Sequence, residues 1–436
     1  MYDKIRELAD GLYEKSVERR RDFHKYPETG WLEMRTSAVI AETLTQLGYE
    51  VYTGRQVCED GARMGVPSHE TLREHAALVR EQGVPMEYLT SDMEEGFTGV
   101  VGVLRCGEGP VVALRFDIDA LGLIENPDEK HRPSREGFAS VNEGMMHACG
   151  HDGHATIGLG TAEVLMQIKD QLHGTVKLLF QPGEEGARGA RAMVAKGWLD
   201  DVDYFAGTHV APDDGPDDGD VTPGTYGSLA TTKYDIYFHG KASHAGGFPE
   251  KGCNALVAAA CAVMNLQAIP RHSGGISRVN VGTMHAGTGR NVVPDEAKLE
   301  LEVRGETTEI NRYMDECATR ICRAAADMYG CTCDMVMMGA ADSQRSDMEL
   351  VDRIAAMIGS HLPDLRVSSC TNAQNWGSED ISIMMNRVQE HGGQAVYMRS
   401  MTSMESAQHT VNFDFDEKVL SKGIETFSAI VYDLLH

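Results

Sequence analysis

The sequence predicts an α/β protein: a catalytic domain on a mixed, largely parallel sheet, interrupted by an inserted ferredoxin-like α+β domain. Three observations carry this. Continuous apolar runs at Val111–Phe116, Thr175–Phe180 and Tyr204–Thr208 alternate with helical patterns, as buried parallel strands flanked by helices do. Between 225 and 340 the order of patterns is β-α-β-β-α-β, the order of a small sandwich of one open sheet backed by two helices. Beyond 341 mixed α/β character returns, so residues 1–224 and 341–436 form one domain and 225–340 an insertion.

Taken in order, Asp3 to Gly48 reads as two amphipathic helices broken at Tyr26-Pro27-Glu28-Thr29-Gly30, where Pro and Gly interrupt the periodicity. Residues 53–96 are polar around a helical stretch, Ser68 to Gln82, opened by a capping-box pattern, and resemble an inserted lobe. A helix is expected over Ala155–Ile168. The segment Ala211–Gly224 (APDDGPDDGDVTPG) is a loop or domain boundary. Its aspartates lack the ordered ligand spacing of a calcium loop and read as a solvated acidic linker. In the insertion, strands are expected at Lys233–His239, Arg278–Met284, Lys298–Arg304 and Cys333–Met338, with helices at Asn254–Ala268 and Ile310–Tyr329. The longest apolar run, Ala255–Met264, is too short for a bilayer span.

The 436 residues carry 40 Lys plus Arg against 66 Asp plus Glu, a net charge of −26 that repels phosphate backbones and argues against nucleic-acid partners. The ten cysteines are sparse and irregularly placed, unlike a secreted disulfide framework. The charged N-terminus has no apolar signal region, so a cytoplasmic protein with reduced thiols and no membrane partner is expected.

Chemistry clusters where strands end. His147-Ala-Cys149-Gly150-His151-Asp152-Gly-His154 precedes the expected helix, and a glycine-containing loop can turn Cys149 and His151 towards one ion. Asp152 reads either as the helix N-cap or as a residue orienting an imidazole; His154 reads as packing or capping. Glu184 and Glu185 follow the second apolar run. In an extended segment they would point oppositely, one to a metal and one to substrate and water. Asp117 and Asp119 follow the first run and His209 the third, and ligands bind outside the carboxyl ends of such strands. Cys149, His151, Glu185 and His209 together offer N, S and O donors suited to zinc or manganese in an open catalytic site.

The motifs RRRDFHKYPETGWLEMRTS, ALRFDIDAL, MHACGHDGH, FQPGEEGARGARAM, GKASHAGGFPEKGCNAL, GTGRNVVP, WGSED and HTVNFDFDE make the chain similar, over essentially its whole length, to the aminoacylase and indole-acetyl-amino-acid hydrolase family of dinuclear metallopeptidase-like amidohydrolases. It most resembles the branch acting on p-aminobenzoyl-glutamate, which shares the 53–96 lobe and the GARGAR segment. The resemblance implies two divalent metal ions per chain, zinc or manganese, on Cys149, His151, Glu185, His209 and His409; His409 is not reached from the residue pattern alone. It implies Glu184 as the general base that takes a proton from water and returns it to the departing amine, with Asp119 a further catalytic residue. His244 and Asn291 would polarise the scissile carbonyl and bind the substrate carboxylate, typically across a dimer, which makes the insertion a dimerisation or lid domain. Arg290 and Arg188 are candidates for a second substrate carboxylate. The expected substrate is an N-acyl amino acid, first p-aminobenzoyl-glutamate or a similar aroyl-glutamate, then indole-3-acetyl-aspartate, then a dipeptide. The partner is a second copy, in a homodimer, or a related subunit, in a heterodimer. The rival reading is a catalytically silent metal-binding chain, which should lack a ligand or the base, all of which are present. Two departures from the family pattern, Gly122 and Gly183, fall at backbone positions near the site.

Overall fold

The computed structural model describes residues 1–213, 219–373 and 377–436; the middle of the acidic linker and Trp376 of the WGSED motif lie outside the described residues. The chain forms two compact units, Met1–Tyr226 with Arg345–Asn372 and Asp380–His436, and Gly227–Gln344 with Ala373–Glu379. Residues 373–379, assigned from sequence to the first unit, group with the second.

The first unit holds a seven-stranded sheet in the order Glu50–Thr53, Val100–Arg105, Thr175–Gln181, Val111–Asp117, Tyr204–Pro212, Gln394–Thr402, Val221–Thr222. The four strands from Thr175–Gln181 to Gln394–Thr402 pair in parallel, and every pairing outside them is antiparallel. The parallel centre is the part legible as continuous apolar runs, because both of its faces are covered. Val111–Asp117 and Thr175–Gln181 are buried at every position but the first. The helix His151–Ile168 lies against this centre, close enough that a Cβ on Gly158 would fall 2.7 Å from both Phe116 and Phe180.

Three differences from expectation concern this unit. The N-terminal pattern resolves into three helices, Tyr2–Gly11, Tyr13–Lys25 and Met34–Leu47, because the first segment breaks beside Gly11, a poor helix-interior residue. The central helix begins at His151 rather than Ala155. Its N-cap is Gly150, so Asp152 is not the cap; that carboxylate instead pairs with Arg20 and His24, all three buried. The lobe helix agrees with its capping signal: it spans His69–Glu81, and Ser68 accepts from the Thr71 N–H.

The second unit is an antiparallel four-stranded sheet in the order Ser277–Ala286, Glu296–Gly305, Ala230–His239, Thr332–Ala341. Helices Ala255–Gln267 and Thr308–Met328 pack with it around Ile236, Phe238, Leu299, Leu301 and Met314, and are capped by Asn254 and Thr307. This is the β-α-β-β-α-β sandwich expected from sequence. Among the described residues no helix is long and apolar enough to cross a membrane.

Candidate functional site

Five side chains from four separate stretches of the first unit converge at the carboxyl ends of the parallel strands. Cys149 and His151 flank Gly150, whose φ of +101° turns the chain into the helix. A Cβ there would also lie 2.2 Å from Val210 Cγ2, so glycine is needed for both conformation and space. His209 sits inside the strand Tyr204–Pro212. His409 is held at φ +62° by its N–H donating to the Ala148 carbonyl at 2.8 Å.

Glu184 and Glu185 do not lie in an extended segment. Residues 183–188 form a tight turn, closed by Ala187 N–H to Glu184 O and Arg188 N–H to Gly183 O, with Gly183, Gly186 and Ala187 at positive φ. Gly183, one of the two departures from the family pattern, stands at φ +59°, a conformation glycine adopts without strain. The turn still separates the two carboxylates: Glu184 Oε2 is 4.0 Å from His151 Nε2, and Glu185 Oε1 is 3.4 Å from His409 Nε2.

Cys149 is the hub. Its Sγ lies 3.4 Å from His209 Nε2 and 3.3 Å from His409 Nε2. Two groups with metal-binding spacing, Cys149–His151–His209 and Cys149–Glu185–His409, share this sulfur, and a third, His151–Glu184–Glu185, spans between them. Two of the imidazoles are oriented by backbone carbonyls. His151 Nδ1 donates to the Asp119 carbonyl at 2.8 Å and His209 Nδ1 to the Val210 carbonyl at 2.7 Å, which in the neutral rings leaves both Nε2 lone pairs facing the cluster. His151 Nε2 is buried with no hydrogen-bond partner. An orphaned buried ring nitrogen among thiol, imidazole and carboxylate donors fits a cation of the zinc or manganese type. His154 is differently placed despite its nearness, since its Nδ1 pairs with Asp117 and its Nε2 accepts from Val210 N–H at 2.9 Å.

The electrostatics differ across the cluster. Burial opposes charge on His151, but Asp117, Asp119 and Glu185 outweigh it and raise its pKa to about 10. Burial, reinforced by His154 and Arg399, holds His209 well below its ordinary value. Asp117 stays well below the carboxylate range despite burial because Arg115, His151 and His154 surround it.

Asp119, expected as a catalytic residue, grips the turn that carries Glu184: its two carboxylate oxygens accept from Glu184 N–H at 3.0 Å and Glu185 N–H at 2.9 Å. Arg188, expected to face a substrate carboxylate, donates from Nε to the Glu185 carbonyl at 2.8 Å and from Nη1 to the Gly65 carbonyl at 3.3 Å. His244, Asn291 and Arg290 belong to the second unit. His244 and Val292 pair across a short antiparallel ladder, with Ala245 N–H donating to the Asn291 carbonyl. His244 Nδ1 accepts from the Gly246 and Gly247 N–H groups at 3.2 and 2.9 Å, so the neutral ring carries its hydrogen on Nε2. Two residues given no role from sequence touch the site: Glu33, inside the first quoted motif, accepts from Gly183 N–H at 2.8 Å, and Gln408, just before His409, donates from Nε2 to the Cys149 carbonyl at 3.3 Å.

Residues 113–433 match the model of peptidase family M20/M25/M40. The chain is 49% identical over 425 residues to indole-3-acetyl-aspartic acid hydrolase of Enterobacter agglomerans, with 97% of each chain covered. It is 46% identical over 431 residues to one of the subunits of p-aminobenzoyl-glutamate hydrolase of Escherichia coli K12, covering 98% of this chain and 97% of that one. The crystal structure of the aminobenzoyl-glutamate utilization protein from Klebsiella pneumoniae superposes with a TM-score of 0.84 at 42% identity, over 98% and 97% of the two chains. With a cluster of metal-binding donors at the ends of its parallel strands and relatives matched from end to end, the chain belongs to peptidase family M20/M25/M40 and is a hydrolase of amide bonds.

Proposed function

We propose that this chain hydrolyses N-acyl amino acids in which an aromatic acyl group is joined to aspartate or glutamate. The observation that carries the reaction is Cys149 Sγ standing between two donor groups, as a site for two ions requires. The relatives named for indole-3-acetyl-aspartate and p-aminobenzoyl-glutamate support the substrate class, since both names join an aromatic acyl group to an acidic amino acid.

Cys149, His151, Glu185, His209 and His409 would hold two divalent ions, zinc or manganese, which supply Lewis-acid polarisation and a more acidic water. Glu184, facing this cluster, takes the proton of the attacking water and returns it to the leaving amine. Asp119 fixes the turn on which Glu184 rides. His244 donates its Nε2 hydrogen to the oxygen that gains negative charge, and Asn291 and Arg290 bind the amino-acid carboxylates. The second unit acts as a dimerisation domain. It pairs with a second copy or with a related subunit, the latter supported by the Escherichia coli relative, which is named as one subunit of its hydrolase.

The test is a substrate panel. Purified protein loaded with zinc or manganese should release amine from indole-3-acetyl-aspartate, p-aminobenzoyl-glutamate or both, at least about tenfold faster (kcat/KM) than from neutral N-acyl amino acids, the discrimination expected of one well-placed charged contact. Equal rates on acidic and neutral amino acids would refute the substrate class, and no turnover of any N-acyl amino acid would refute the activity.

A further inference from the structure

Glu33 lies on the strap Pro27–Glu33 between the second and third helices, and it is fully buried. No cation pairs with it among the described residues. A buried carboxylate without a cation is costly and needs hydrogen bonds to persist. Glu33 has two: Oε1 accepts from Gly183 N–H at 2.8 Å, and Oε2 accepts from Thr98 Oγ1 at 2.6 Å. Asp119 takes the next two amides of the same turn, so three successive N–H groups, those of Gly183, Glu184 and Glu185, end on two buried carboxylates.

The strap is itself fixed. Trp31 sits at φ +69°, a conformation a bulky residue adopts only when its surroundings impose it. Its buried indole donates to the Met64 carbonyl at 2.7 Å, and its ring backs Gly183, with Cε2 3.5 Å from where a Cβ would stand. Glu28 accepts from the Ala120 N–H at 2.8 Å, which ties the strap to the chain beside Asp119. The strap thus grips both sides of the turn that carries Glu184.

We propose that Glu33 is a positioning residue that sets the direction of the Glu184 carboxylate by clamping the Gly183 amide. This rests on the reading of Glu184 as the general base. A carboxyl group suits the position because its two oxygens meet the Gly183 N–H and the Thr98 hydroxyl, which can both donate and accept; neither an alcohol nor an aliphatic side chain reaches both. Burial and the nearby Asp119 raise the Glu33 carboxyl to about 8, so a neutral amide is a fair stand-in near pH 7. With its oxygen towards Gly183 and its NH2 towards the Thr98 hydroxyl, which can also accept, glutamine satisfies both neighbours.

The experiment compares E33A, E33Q and E184Q in metal-loaded protein, measuring kcat, KM, metal content and the amide exchange of residues 181–188. Misplacing a reacting group by about 1 Å costs on the order of a hundredfold. E33A should therefore lose about 30- to 100-fold in kcat with KM within about twofold, keep its metal, and exchange faster over the turn. E33Q should stay within about fivefold of the parent in kcat. Near-normal kcat in E33A, equal loss in E33A and E33Q, or loss confined to KM would each overturn the proposal. If E33A does not fold, Thr98→Val decides the matter: it should show the same kcat split at about three- to tenfold, and an unchanged kcat overturns the clamp. Full turnover by E184Q would remove the base assignment instead. In that case the exchange rates judge the clamp alone, and parental exchange in E33A would overturn it.

Discussion

Gly150→Ala tests whether the turn between Cys149 and His151 builds the site. A Cβ at this position meets two separate penalties. The backbone stands at φ +101°, where a non-glycine residue is strained by about 1–3 kcal/mol. The new carbon would also lie 2.2 Å from Val210 Cγ2, and Phe413 stands behind at 3.8 Å. Val210 cannot readily yield, since it is β-branched and its N–H is bonded to His154 Nε2. Overpacking of this kind costs about 1–3 kcal/mol, so the sum is about 2–6 kcal/mol against a total stability of about 5–15 kcal/mol. Val210→Ala removes the steric part alone, because Val210 Cβ is 3.7 Å away, an ordinary contact. In urea titrations of the parent, the two single variants and the double variant, the pair should be less destabilising than the sum of its parts by about 1–3 kcal/mol. Metal content of Gly150→Ala should fall in parallel. Strict additivity, or parental stability and metal content in Gly150→Ala, would refute the geometry from which the site is built.

Further outcomes follow from the same site. Glu184→Gln keeps the shape of the side chain and the backbone bond to Asp119, so turnover should fall at least about a hundredfold while bound metal is retained; near-normal activity would remove Glu184 as the base. Arg188→Ala should slow an N-acyl glutamate and the matching N-acyl glutamine equally, because its Nε and Nη1 hold the Glu185 and Gly65 carbonyls. A larger loss on the glutamate would return Arg188 to substrate binding. Mixing Glu184→Gln protein with His244→Ala protein under conditions of chain exchange should restore about a quarter of sites if His244 serves the neighbouring chain, since roughly half of the dimers are mixed and each has one intact site. No recovery, with exchange verified, would place His244 in its own chain's site.

What the sequence made legible was whatever has a local period or a local motif. The parallel strands around Val111–Asp117 announced themselves because burial on both faces makes them uniformly apolar. The strand Gln394–Thr402, next to the sheet edge but pairing with Tyr204–Pro212 over its full length, is not marked in the sequence, since Arg399, Ser400 and Thr402 break its apolar run. Cys149, His151, Glu185 and His209 are candidates from sequence because each stands beside a glycine turn or at the end of an apolar run, although the strand that carries His209 continues to Pro212. His409 was reached only through the family resemblance: it is brought in by a hydrogen bond between residues 261 apart, those of His409 N–H and the Ala148 carbonyl, and no local pattern encodes that contact. Glu33 escaped for the same reason, 150 residues before the amide it holds. Asp152 was read through the commonest meaning of an aspartate at a helix start, and the buried Arg20 and His24 that claim it lie on another helix altogether.

The opposite pulls on His151 and His209 have a consequence for metal loading. With its pKa raised to about 10, His151 holds a second ring proton at pH 7 in metal-free protein, whereas His209, held well below its ordinary value, is neutral. Ligation requires a neutral imidazole, so loading must expel the second His151 proton. Calorimetric titration of metal into the protein, repeated in buffers of different ionisation enthalpy, should therefore report proton release near pH 7, about one proton of it from His151. Cys149→Ala, titrated at saturating metal, should retain about one. The sign for stability follows from the same shift: a proton bound more tightly in the folded state favours folding fully below the unfolded histidine value of about 6.5, and that contribution is lost as pH rises towards 10. Metal-free protein should then melt progressively lower from about pH 6.5 upward, while loaded protein, its His151 proton already gone, should lack this part of the slope. Absence of proton release from Cys149→Ala would show that the carboxylates around His151 do not hold a proton there, and the electrostatic account of that end of the cluster would fall with it.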